Sequence, residues 1–245
     1  AKTGFFLNAG PQHCGLLRCI DIGFPNSIIS AEKATAQAFF QRDAQDLLTR
    51  LNPLAHKYQN GQVLVIGGSS LYPGAPVLSS SAALRSGAGM VLLARPKKSL
   101  TPTYHALIEL SLDPHSEQFT SDDLKLIENH YPKSDVIVIG PGMCNETMEA
   151  ELLESCLRSD KKLVIDAGAL PHLSKFKHLF PRQAKTVLTP HSGELKRLGT
   201  DFKIEADSDA ALASQLAQEL SIHIISKGKF TKIFSPDGSY SINTS

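Results

Sequence analysis

The residues best suited to chemistry fall in a few short segments, most of them following an apolar run. Thr189-Pro190-His191-Ser192-Gly193-Glu194 sets an imidazole and a carboxylate around the start of a helix. Lys227-Gly228-Lys229-Phe230-Thr231 offers two ammonium groups and a hydroxyl beside a glycine. That composition suits a phosphate chain, and equally a surface β-turn. Asp166-Ala167-Gly168 places a carboxylate that can meet a hydroxyl or a hydrated Mg²⁺, or merely cap the next turn. Gly67-Gly68-Ser69-Ser70, Tyr72-Pro73-Gly74-Ala75-Pro76 and Gly140-Pro141-Gly142-Met143 are glycine-rich. Glycines there let a ligand approach the backbone, or they serve tight connections only. None of these segments is GxxxxGK[ST] or GxGxxG, and no HExxH pattern supports zinc.

Such segments act together only if a scaffold gathers them. Apolar runs at 62–66, 90–94, 135–139, 162–166, 185–189 and 222–226 are near-continuous, as expected for parallel strands covered on both faces. A weaker run at 105–110 is a further candidate strand. Helical periods lie between them. Pro76 suits the first turn of a helix running to about Ser86 and stopped by Gly87, with Val77, Ser81, Leu84 and Ala88 on one face. Asn145 is placed to cap a helix that turns Met148, Leu152 and Cys156 inward. Ser192 is placed to cap a short helix ended by Gly199. Leu212, Leu216 and Leu220 form another apolar stripe. Strand–helix repetition of this kind predicts a doubly wound α/β sheet. Its ligands would sit beyond the carboxyl ends of the strands, where helix N-termini carry about half a positive charge. Two regions depart from this pattern. Residues 16–23 predict an isolated strand, followed by a long helix over about 31–51. Residues 230–235 and 239–242 predict a hairpin turning at Pro236-Asp237-Gly238.

The bulk properties narrow the class without selecting a function. The chain has 245 residues, a formal net charge of +1 and 42% hydrophobic residues, ordinary for a globular protein and giving no electrostatic case for nucleic acid or a membrane surface. Cys14, Cys19, Cys144 and Cys156 form no CxxC pair and no zinc spacing. They predict small hydrophobes in a reducing, cytoplasmic compartment. No apolar run reaches the length of a membrane span.

Taken in order, these segments resemble the NAD(P)H-hydrate dehydratase family. The matching residues are His56-Lys57, the stretch from Val63 through Gly67-Gly68-Ser69 to Pro76, Leu84-Arg85-Ser86-Gly87-Ala88-Gly89 and Gly140-Pro141-Gly142. They continue with Asp166-Ala167-Gly168-Ala169-Leu170, the segment from Thr189 to Glu194, and that from Lys227 to Thr231. The resemblance implies a ribokinase-like three-layer sandwich with a mostly parallel central sheet. It implies repair of hydrated NADH or NADPH (NADHX, NADPHX) using ADP or ATP with Mg²⁺. The damaged ring's hydroxyl is phosphorylated, and loss of phosphate restores the double bond. Carried over, Ala75, Gly142 and His191 contact the hydrated dinucleotide. Lys227, Gly228, Lys229, Phe230 and Thr231 hold the nucleotide's phosphates, and no residue is assigned as a metal ligand. A homo-oligomer is expected. The sequence departs from the family at Cys144, where glycine is usual, and at Gly168, where Asp is frequent.

Residues 1–26, through Lys2-Thr3-Gly4, Gly15 and Ile20-Asp21-Ile22-Gly23-Phe24-Pro25, resemble the tail of an NAD(P)H-hydrate epimerase domain. That leaves 27–245 as the dehydratase domain. The family continues into an N-P-G-x-A-T-x-G-S-G-D segment carrying its anion hole and general base. The catalytic Asp is therefore expected beyond Ser245, and the sheet is expected to be incomplete at that end. Two other readings stay open: a vitamin or sugar kinase of the same superfamily, and a non-catalytic nucleotide-binding fragment.

Overall fold

The computed structural model describes residues 3–6, 9–18, 20–31, 34, 36–47, 54–96, 106–144 and 147–243. The described strands are β1 (Gln37–Phe39), β2 (Gln62–Ile66), β3 (Met90–Ala94), β4 (Ile108–Glu109) and β5 (Val136–Ile139). They continue with β6 (Lys162–Ile165), β7 (Thr186–Leu188), β8 (His223–Ser226), β9 (Lys232–Phe234) and β10 (Tyr240–Asn243). All belong to one sheet in the order β1-β10-β9-β8-β7-β6-β5-β2-β3-β4. Pairing from β8 to β4 is parallel throughout, and only β9 runs antiparallel to its neighbours β8 and β10. The helices are α1 (Gly10–His13), α2 (Asn26–Ala31), α3 (Gln41–Leu47), α4 (Ala75–Arg85), α5 (Ser121–Glu128), α6 (Thr147–Arg158), α7 (Ser192–Phe202) and α8 (Asp209–Leu220). A 3-10 segment, Ala167–Leu179, follows β6.

Alternation along the parallel strands divides the core into two layers. Leu64, Ile66, Ile137, Ile139, Leu163 and Ile165 pack with Leu152, Leu195 and Leu216 from α6, α7 and α8. Val65, Val91 and Leu93 turn the other way, onto Val77 of α4 and Leu107. Burying each large aliphatic side chain stabilises the fold by about 1.5–3 kcal/mol. The result is the predicted three-layer sandwich, with every parallel strand delivering its carboxyl end to one edge. Among the described residues no helix is long and apolar enough to cross a membrane.

Several expectations need correction. Residues 16–23 form no strand where described, and Leu16 (83%) and Ile22 (77%) are exposed. The long helix over 31–51 is replaced by β1 and α3 in the described part. Residues 37–39 pair in parallel with β10, so a distant strand edge overrides local helical preference. The helix expected to end at Gly199 runs to Phe202 and closes on Lys203 in the left-handed conformation. Its N-cap is His191 rather than Ser192. The predicted cap Asn145 lies outside the described residues. The hairpin forms as β9 and β10, with Gly238 at φ +85° and the Phe234 and Tyr240 rings stacked at 4.9 Å.

Candidate active site

The edge where the parallel strands end carries two different halves. The first is built from backbone. Gly67 passes so close to the Pro141 carbonyl that a side chain would collide with it, and the Gly68 N–H donates to the same oxygen at 2.8 Å. Gly142, at φ +77°, leaves no room for a Cβ, which would meet the Tyr72 carbonyl and lie 3.2 Å from the Ala75 side chain. Ala75 and Gly142, distant in the chain, are therefore brought together. The Ser69 hydroxyl ties the loops by donating to the Gly142 carbonyl at 2.8 Å and accepting from the Tyr72 N–H at 3.1 Å. Cys144 donates its thiol to the same Ser69 oxygen at 3.0 Å, filling space that a glycine would leave open. Its own N–H is held by the buried carboxylate of Glu149 at 2.8 Å. At Gly168 a side chain would strike Met143, so no carboxylate fits there as the loop stands.

Side chains build the second half. Beyond β8, Lys227 and Lys229, with Lys196 from α7 and Lys232 from β9, line a cleft of about 540 Å³. Asp207 and Asp209 offset only part of that charge. Asp209 accepts from the Ser192 hydroxyl and lies 4.0 Å from the Lys196 ammonium. Phe230 lines the same cleft and meets Phe6 edge-on at 5.8 Å, so the early chain shares in that wall.

His191 lies between the halves, its backbone bridging in parallel with Lys227. Its Nδ1 accepts from the Gly193 and Glu194 N–H groups at 3.0 and 3.2 Å, while its own N–H donates to Glu194 at 2.8 Å. This reciprocal cap uses one ring nitrogen, while Nε2 lies 3.6 Å from the Glu194 carboxylate on an exposed side chain. Asp166 stands at the N-cap of the segment that follows it, but its side chain makes no capping hydrogen bond. Its Oδ1 instead accepts from the Thr189 hydroxyl at 2.7 Å and from the Lys227 ammonium at 2.8 Å. The Asp166 backbone carbonyl lies where a Gly140 side chain would be, so this residue touches both halves.

Sequence reasoning did not find the roles of Ser69, Glu149, Lys196 or Phe6. Ser69 stood in a recognised motif, but nothing local marked the other three. Behind the glycine loops His172 is buried with Nε2 4.0 Å from Glu149 and no hydrogen-bond partner for that nitrogen. Desolvation, then the charges of Lys175 and Arg197, hold its pKa below the ordinary value. Burial raises the Cys156 thiol to about 12, which makes it an inert core residue as predicted.

A mostly parallel sheet of this order, with helices on both faces, defines a ribokinase-like fold. An Enterococcus faecalis ribokinase-like superfamily protein superposes with a TM-score of 0.69 at 23% identity, over 87% of this chain and 73% of its own. The ADP/ATP-dependent NAD(P)H-hydrate dehydratase of Bacillus subtilis superposes with a TM-score of 0.67 at 24% identity, over 85% and 72%. The family model for NAD(P)H-hydrate dehydratase matches residues 63–245, and the chain belongs to that family. The ADP-dependent (S)-NAD(P)H-hydrate dehydratase of Lactococcus lactis is 34% identical over 186 residues, 75% of this chain and 64% of that protein. The bifunctional NAD(P)H-hydrate repair enzyme of Moorella thermoacetica is 31% identical over 250 residues, 99% of this chain. The chain spans 47% of that relative's length.

Proposed function

We propose that the protein containing this chain dehydrates hydrated NADH or NADPH to the intact dinucleotide, driven by ADP or ATP. The observation that carries the reading is the contact between Asp166 and Lys227, which joins a basic cleft to a glycine-lined surface at one sheet edge. Family membership and the names of the relatives give the substrate class.

In this reading Ala75, Gly142 and the outward Nε2 of His191 bind the hydrated nicotinamide nucleotide. The close backbone at Gly67 and Gly142 sets its orientation, because no side chain can intrude there. Lys227 to Thr231 hold the phosphates of the adenine nucleotide, with Lys196 and Lys232 adding charge from the cleft wall. Positioning and charge compensation of this kind carry most of the catalysis in phosphoryl transfer. Among the described residues no cluster of three His, Cys, Asp or Glu residues offers a metal cage. In this reading Mg²⁺ accompanies the nucleotide, where it would neutralise phosphate charge. Residues 27–245 supply the unit, and the pairing of β1 with β10 supports a boundary before Gln37. A cytoplasmic site of action completes the reading, supported by the unpaired thiols of Cys14, Cys144 and Cys156.

The test is to incubate hydrated NADH with the intact protein and either nucleotide. Restored NADH with free phosphate supports the reading. A stable phosphate ester would make the protein a small-alcohol kinase, and an unchanged hydrate with both nucleotides would sink the dehydratase reading.

A further inference from the structure

The Asp166 side chain joins three strand ends: its own after β6, Thr189 after β7 and Lys227 after β8. The carboxylate is 26% exposed and the Lys227 side chain, which lines the cleft, 44%. Thr189 holds the shared oxygen from behind at 2.7 Å. A lysine has a long flexible stem, and binding an anion must first freeze it. Its ammonium has three donors, so one bond to Asp166 leaves two for a ligand.

We propose that Asp166 is a positioning residue, which fixes the Lys227 ammonium at the seam between the basic cleft and the glycine loops so that it meets the phosphate chain nearest the transfer point. This rests on the reading of Lys227–Thr231 as a phosphate site. The sign of the effect makes the idea testable. A carboxylate beside an anion site repels the anion, so deleting its charge should tighten phosphate binding if charge alone mattered. A positioning role predicts the opposite.

The experiment is calorimetric titration of ADP and of adenosine into the intact protein, as wild type, Asp166→Asn, Lys227→Met and the double variant. Asp166→Asn is expected to weaken ADP binding about 10-fold and to leave adenosine binding unchanged. In the Lys227→Met background the same substitution should have no further effect, because the positioned group is gone. A merely structural Asp166 would cost the same with and without Lys227, and such additivity overturns the proposal. So does ADP binding to Asp166→Asn as tightly as, or more tightly than, to wild type. If Asp166→Asn fails to fold, Thr189→Val provides the test, with a loss of about 3-fold that again vanishes beside Lys227→Met. Wild-type protein that binds no ADP overturns the nucleotide reading and this proposal together. Wild-type binding without coupling overturns this proposal alone.

Discussion

The two halves of the site are made in different ways. Around Gly67, Gly140 and Gly142 the loops interlock backbone against backbone, with Ser69 stitching them and Glu149 anchoring Cys144 from below. Around Lys227 and Lys229 the surface is charged, exposed and open on a wide cleft. A backbone surface recognises shape and tolerates no added atom. A cluster of ammonium groups recognises charge, tolerates movement and is screened by salt. The first suits a rigid ring that must be oriented for chemistry, and the second a flexible phosphate chain.

The largest expected effect breaks the backbone half. Gly142→Ala must place a Cβ against the Tyr72 carbonyl at a φ of +77°. Strain of about 1–3 kcal/mol will push the loop away, and misplacing a reacting group by an ångström costs about 100-fold in rate. We expect kcat/KM for hydrated NADH to fall by that order while ADP titration gives an unchanged Kd. Equal losses of both would show that the halves are one unit.

Lys227→Ala should reverse the pattern, with ADP binding weakened about 10-fold and melting temperature unchanged. A related contrast uses salt alone. Moving from 0.1 to 1 M shortens the screening length from about 10 to about 3 Å. ADP affinity should fall several-fold, and the KM for hydrated dinucleotide at saturating ADP should move much less.

Smaller effects separate stability from recognition. His191→Ala removes the cap of α7 and should cost about 1 kcal/mol, which a denaturant titration resolves; His191→Asn should restore most of that stability but not the Nε2 contact to substrate. The smallest concerns His172. Its folded pKa lies below the ordinary value of about 6.5, with desolvation the chief cause and Lys175 and Arg197 adding to it. The unfolded chain thus takes up the proton first, so its contribution is full above about pH 6.5 and is lost as pH falls from there toward the folded value. His172→Leu should flatten the stability curve between about pH 7 and 5.

How much of this was legible in the sequence follows the range of the interactions. β2 and β3 matched their predicted limits because each is a near-continuous apolar run set off by local breakers, Gly61 and Gly67 for β2, Gly89 and Arg95-Pro96 for β3. The segments Gly140–Gly142, Asp166–Gly168 and Thr189–Glu194 were legible as strand-end segments for the same reason. What failed was set by distant partners. β1 exists because β10 offers an edge about 200 residues later, whereas Leu16, Ile20 and Ile22 stay exposed. His191 was visible as a candidate ligand, but its role as the helix cap was not, since Ser192 is the more usual capping residue. The pair Asp166–Lys227 spans 61 residues and skips a strand in sheet order. Only the folded sheet places those two loops side by side.

The phosphoryl-transfer account is tested most directly by the fate of one oxygen atom. If the hydrate's hydroxyl is phosphorylated and then eliminated, its oxygen leaves with the phosphate. Hydrated NADH labelled with ¹⁸O at that hydroxyl, turned over with ATP, should therefore give inorganic phosphate carrying one labelled oxygen per NADH formed. Label recovered in water instead, with unlabelled phosphate, would contradict it.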